Sequence, residues 1–149
     1  MNRKLKIYLA DDDPDEHDLF ETALRTCSHD FRIETFLNGK LLLDFLATPN
    51  GELPDLIFLD LNMPVLDGLD TLKILRSIDA LQQVKVAVYS TSSNPTDIEH
   101  TFLAGASIYI EKPHDFKSLC STLKHVLANV ENITINPETK RDFVFDPIK

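Results

Sequence analysis

Five short apolar runs, each followed by a one-sided helical stripe, constrain this chain more than any other feature. The runs are LKIYLA at 5–10, FRIETF at 31–36, LIFL at 56–59, VKVAVY at 84–89 and the segment 107–110. The stripes between them run to about Cys27, from Asn38 over Leu41, Leu42, Phe45 and Leu46, across 69–78, across 94–103, and from Phe116 to about Val130. Asp13 before Pro14, and Asn94-Pro95 with Asp97, are residues that start helices, and Gly105 ends one. Strands and helices alternating over short connections predict an α/β domain, a parallel sheet with right-handed crossovers and helices on both faces. LIFL, apolar throughout, reads as a strand buried on both faces, whereas FRIETF alternates and is more exposed. The residues 48–54 read as a turn-rich loop.

The length of 149 residues suits one domain, and 43% hydrophobic residues suffice for a buried sheet. The formal charge of −9 repels phosphates, which excludes nonspecific binding to nucleic acid or anionic membranes. Cys27 and Cys120 fall within helical stripes and read as small buried apolar side chains rather than a disulfide. No apolar run reaches membrane-spanning length and no signal-peptide core is present, so a cytoplasmic protein is expected, in which the Asn132 sequon carries no meaning.

The strand LIFL ends on Asp60, and a loop with Asn62, Met63 and Pro64 leads to Asp67-Gly68 and the next helix. Open α/β sheets bind ligands where the carboxyl ends of their strands meet. That edge would collect Asp11 and Asp12 from the first strand, Asp60 from the third, Ser90 and Thr91 from the fourth, and Lys112 from the fifth. Three crowded carboxylates raise one another's pKa unless a cation lies between them. Hard oxygen ligands with room for water and phosphate suit Mg²⁺, and a lysine adds a point charge for an anion. Such a set reads as a site for phosphoryl chemistry.

With these motifs in order, residues 4 to 130 or so resemble a response-regulator receiver domain of two-component signalling, similar to the stand-alone chemotaxis receivers. The resemblance implies a flavodoxin-like doubly wound five-stranded parallel sheet, (βα)5, with strand order 2-1-3-4-5. It implies Asp60 as phosphoacceptor, with Mg²⁺ held by the carboxylates of Asp12 and Asp60, the backbone carbonyl of Asn62, and Asp11 through water. Lys112 would pair with phosphoryl oxygens, its bond to Pro113 cis. Ser90 and Thr91 stand beside the acceptor, Ser90 where the family more often has threonine and Thr91 where it often has a smaller residue. Tyr109 on the fifth strand is expected to turn inward when Ser90 moves toward the phosphoryl group; the alternative is an ordinary half-buried edge aromatic. The partners implied are a sensor histidine kinase or histidine phosphotransfer protein and a downstream protein target. Such a chain is not an enzyme on other substrates; it catalyses its own phosphotransfer and autodephosphorylation.

Two other classes fit less well. A haloacid-dehalogenase-like phosphatase needs a second acid two residues after the nucleophile, where this chain has Asn62, and a flavodoxin-type binder needs a phosphate cradle where this chain has Asp11-Asp12-Asp13. A receiver that acts without phosphorylation is the third alternative. His17, His29, His100, His114 and His125 show no metal-ligand spacing and read as surface or packing residues. The regular pattern spans 1–130; the tail, 131–149, is too short for a DNA-binding domain, which needs about 50 residues. Its cluster Phe143-Val144-Phe145 is expected to pack, beside the last helix or strand or across a homodimer, because exposing two phenylalanines forgoes roughly 1.5–3 kcal/mol each.

Overall fold

The computed structural model describes residues 4–27, 30–48 and 53–147; His29 and residues 49–52 of the predicted loop lie outside them. The chain alternates β1 (Leu5–Ala10), α1 (Pro14–Arg25), β2 (Phe31–Phe36), α2 (Gly39–Leu46), β3 (Leu56–Leu59), α3 (Gly68–Ser77), β4 (Val86–Ser90), α4 (Pro95–Leu103), β5 (Ile108–Glu111) and α5 (Phe116–Ala128). A further short helix, α6 (Lys140–Phe143), follows in the tail. All paired strands are parallel and lie in the order β2-β1-β3-β4-β5, as the resemblance implied.

The expected caps form. Asp13 accepts the N–H of Asp15, Asn38 that of Leu41 and Asn94 that of Thr96; Asp67 adds a cap that was not expected, accepting the N–H of Asp70. β4 begins two residues later than predicted, because a 3-10 turn at Asp79–Leu81 buries Leu81 and Val84 before the strand starts. β3 is buried at every position, so the sheet core splits into two apolar layers. Ile7, Leu9, Phe20, Phe58 and Leu123 pack on the side of α1 and α5; Tyr8, Leu42, Ile57, Leu72 and Val88 pack on the side of α2 and α3. Gly105, at φ 95°, turns the chain between α4 and β5, and its carbonyl accepts the Arg76 Nε–H at 2.8 Å.

The tail departs most from its predicted lack of pattern. Val144 bridges Tyr109 in parallel, and the Phe145 N–H donates to the Tyr109 carbonyl at 2.8 Å, so the tail lies along β5 like one more edge strand. Phe143 still belongs to α6 and Phe145 already lies beside β5, so the change from helix to extended chain at Val144 separates the two rings. Phe143 is fully buried against Tyr109 and Phe102 in one layer, and Phe145 packs on His125 and the other layer. Packing of the tail on its own domain, one of the two arrangements expected, is what the structure has. Cys27 is buried and Cys120 half-buried, and both are free thiols. No helix among the described residues is long and apolar enough to cross a membrane.

Candidate functional site

The sheet brings the predicted acids together. Carboxylate oxygens of Asp11, Asp12 and Asp60 all lie within 4.8 Å of one another, with Asp11 and Asp60 buried and Asp12 exposed. Register places them: Ala10 pairs with Leu59, so the residues that follow each strand emerge side by side. The Asp60 N–H donates to the Ala10 carbonyl at 2.9 Å and locks that alignment. Gly68 has a structural reason at this point, since a Cβ there would collide with the Asp60 carbonyl oxygen.

Lys112 reaches this cluster from the end of β5. Its ammonium donates to Asp11 Oδ2 at 2.8 Å and lies 3.8 Å from Asp60 Oδ2. Burial works against its charge, but the hydrogen bond to Asp11 and the charges of Asp60, Asp11 and Glu16 outweigh burial and hold its pKa above the ordinary lysine value. Asp60 is pushed up to about 6: burial is the largest cause, Lys112 opposes it, Asp11 adds to it, and the N–H groups of Asn62 and Leu61 oppose it. One ammonium shared by two buried carboxylates leaves the cluster short of positive charge. An all-oxygen donor set of this kind, two acids buried and one open to water, fits a hard divalent cation.

Two residues that the sequence reading passed over support the site. Tyr89, buried near the end of β4, lies under Lys112 with its ring centroid 5.4 Å from the ammonium, and Phe20 and Phe58 hold the ring edge-on. His17, read as surface or packing, donates from Nε2 to the Asp11 carbonyl at 2.6 Å and ties α1 to the acid pair. Its place one turn after the Asp13 cap is the only sequence signal for this.

The remaining predicted residues are placed as follows. Ser90 is fully buried at the tip of β4 and its hydroxyl accepts the Ser92 N–H at 3.1 Å; Thr91 and Asn62 are exposed at the mouth. The Lys112–Pro113 bond is a correction, since no peptide bond among the described residues is cis. Trans is the favoured isomer by about 0.5–1 kcal/mol. Lys112 is aimed without help from a cis bond, by Asp11, by the Tyr89 ring and by its own N–H donating to the Ser90 carbonyl at 2.7 Å. Tyr109 already lies inward: it is 1% exposed, because the tail covers β5, and its phenol donates to the Ser92 carbonyl at 2.8 Å.

The loop after Asp60 is strained. Val65 has φ 70° and the Leu66 N–H donates to the Pro64 carbonyl at 2.7 Å, a γ-turn centred on a β-branched residue. Strain of this kind persists where the surroundings impose it, and it clusters at functional sites.

Known proteins share this arrangement. Residues 7–124 match the family model of the response regulator receiver domain. The transcriptional regulatory protein PrrA of Mycobacterium bovis is 32% identical over 140 residues, which cover 89% of this chain. The chain spans 57% of the length of that relative. The response regulator Rcp1 of Synechocystis is 28% identical over 117 residues, 76% of this chain and 80% of Rcp1. Among solved structures, the phosphorylated cyanobacterial phytochrome response regulator RcpA superposes with a TM-score of 0.81 at 28% identity, covering 91% of this chain and all of RcpA. The Mn²⁺-bound form of Rcp1 gives 0.77 at 25% identity, covering 89% and 99%. By sequence and by the geometry of its strand ends, the chain belongs to the response regulator receiver domain family.

Proposed function

We propose that the protein accepts a phosphoryl group on Asp60 from a histidine kinase or a histidine phosphotransfer protein and so changes a surface read by a downstream protein. The observation that carries this reading is the meeting of Asp60, Asp11, Asp12 and Lys112 at one sheet edge, in a chain of a family that includes relatives named as response regulators. A Mg²⁺ ion held by Asp11, Asp12 and Asp60, with the Asn62 carbonyl, would supply the positive charge that the cluster lacks and would favour the ionised form of Asp60. An Asp60 carboxylate oxygen forms the new bond to phosphorus while the bond from phosphorus to the donor's imidazole nitrogen breaks, and the imidazole keeps that electron pair and takes up a proton. The transition state is loose, so the side chains mainly position and neutralise. Lys112 lies within 3.8 Å of the attacking carboxylate and compensates charge on the transferred group. Ser90, buried beside it, donates its hydroxyl hydrogen to a phosphoryl oxygen. Hydrolysis of the acyl phosphate requires a water in line with phosphorus, past the exposed Thr91 and Asn62.

The test is incubation with Mg²⁺ and acetyl phosphate. Wild type should gain the mass of one phosphoryl group, removable by hydroxylamine, and Asp60→Asn should gain none. Labelling that persists in Asp60→Asn, at Asp12 or Asp67, overturns the assignment.

A further inference from the structure

We propose that the C-terminal segment is a positioning element of the phosphoryl site: Phe143 holds Tyr109 inward, and Tyr109 in turn fixes the Ser90–Ser92 corner beside Asp60. The proposal rests on the function argued above for its kinetic consequence, but not for the contact itself.

An unbroken line of contacts leads from the tail to the site. The Phe143 ring is fully buried, with its centroid 6.0 Å from that of Tyr109 in an edge-on arrangement. The Tyr109 backbone is held by the Val144 bridge and by the Phe145 N–H. With ring and backbone both fixed, the phenol is aimed at the Ser92 carbonyl, 2.8 Å away, and interacts with the Ser90 side chain. The Ser92 N–H then donates to Ser90 Oγ at 3.1 Å, and Ser92 Oγ donates to Asp97 at 2.6 Å. Lys140 on α6 pairs with Glu99, so the tail also grips α4, the helix that this corner leads into.

The chemistry at Ser90 gives these contacts a use. A serine hydroxyl has one hydrogen and two lone pairs. Accepting the Ser92 N–H occupies a lone pair and holds Ser90 Oγ in place, so that its hydrogen can turn from the Tyr109 phenol oxygen to a phosphoryl oxygen. A fixed corner therefore presents Ser90 to a phosphoryl oxygen without a further ordering cost. Removing the Phe143 ring opens space beside the phenol, deprives the Ser92 carbonyl of its donor, and lets the corner wander. Coupling of equilibria is reciprocal, so to the extent that the docked tail favours the phosphorylated state, a phosphoryl group on Asp60 favours the docked tail.

The experiment uses the full chain as wild type, Phe143→Ala, Phe143→Leu, Tyr109→Phe and the double variant Phe143→Ala/Tyr109→Phe. Nitration by tetranitromethane, mapped by peptide mass and run without phosphodonor, reads the contact; Tyr8 and Tyr89, both buried, are internal controls. Tyr109 should be protected in wild type and nitrated about 10-fold faster in Phe143→Ala, the loss expected for one buried aromatic pair, with Tyr8 and Tyr89 unchanged. With Mg²⁺ and acetyl phosphate, Phe143→Ala should gain phosphoryl about 3–10-fold more slowly, Tyr109→Phe similarly, and the double variant no more slowly than either, because both changes break one path. Equal Tyr109 nitration in wild type and Phe143→Ala, or additive slowing in the double variant, overturns the proposal. If Phe143→Ala does not fold, Phe143→Leu decides, since it keeps apolar volume but loses the ring edge: nitration and phosphoryl gain must shift together, and a shift in only one overturns the proposal. A wild type that takes no phosphoryl group sinks the function proposed above, and the nitration comparison still decides whether the tail holds Tyr109.

Discussion

The strand-end site and the tail-covered flank of β5 lie a few residues apart and are built on opposite terms. At the site, two buried carboxylates share one ammonium, Asp60 is held up to about 6, and Val65 sits in a strained turn. At the flank, Phe143 and Tyr109 are buried with Phe102 packed on them, and the tail backbone bonds to β5 through the Val144 bridge and the Phe145 N–H. The first region stores free energy that ligand binding can release, and the second contributes stability that the first consumes. Mutations in the two regions should therefore change stability with opposite signs, the site's lysine excepted because its ammonium relieves the charge.

The largest effect is expected at the flank. Phe143→Ala removes a fully buried ring, which in a rigid core costs about 3–5 kcal/mol. The tail can undock instead of leaving a cavity, so the loss is capped by the free energy of docking, about 2–3 kcal/mol. Thermal melting should fall by roughly 4–10 °C. A loss equal to that of a chain truncated after Asn132 identifies Phe143 as the anchor of the whole segment; a much smaller loss breaks the comparison. Next, Lys112→Met should destabilise by about 2 kcal/mol at neutral pH, because Asp11 and Asp60 lose their buried countercharge. Much of that loss should return on acidification, as the carboxylates take up protons.

Asp60→Asn should act the other way. The raised Asp60 pKa means that the native state holds a proton the unfolded state releases, so between about pH 4 and 6 stability falls as pH rises. Above pH 6 the full penalty persists, and below pH 4 it is absent. Asparagine has no such penalty, so the variant should be more stable than wild type by about 1–2 kcal/mol at pH 7, after allowance for screening, and equal to it in acid. Millimolar Mg²⁺ should stabilise wild type and erase the difference. A variant less stable than wild type at pH 7 would show that the Asp60 carboxylate is already compensated by the protein.

How far this contrast was visible in the sequence depends on the range of the interaction. The helix caps at Asp13, Asn38 and Asn94 and the meeting of Asp11, Asp12, Asp60 and Lys112 were legible, because a parallel sheet brings strand ends together, whereas the strand order came from the family resemblance. Tyr89 was not, since its strand pattern says only that it is buried, and its contact with Lys112 is set by a neighbouring strand. His17 needed the angle at which α1 leaves β1. For Tyr109, the depth of burial was hidden because β5 was taken as a bare edge; the DFVFD cluster signalled burial but not the strand it would cover.

The smallest effect sharpens the comparison from the site's side. Val65 is 75% exposed, so its side chain contributes almost nothing by burial, yet its φ of 70° is one that a β-branched residue rarely adopts. Asparagine tolerates positive φ through its short polar side chain. Val65→Asn should therefore keep the γ-turn and gain about 0.5–1 kcal/mol, seen as a rise of a few degrees in melting temperature. Because the turn lies between Asp60 and Gly68, its relief tests whether the strain serves the site. If the strain is incidental, phosphoryl gain from acetyl phosphate stays at the wild-type rate while stability rises. If the turn is held taut to position Asn62 and Asp60, the variant gains stability and loses rate together, as expected where a strained loop shapes a reacting centre.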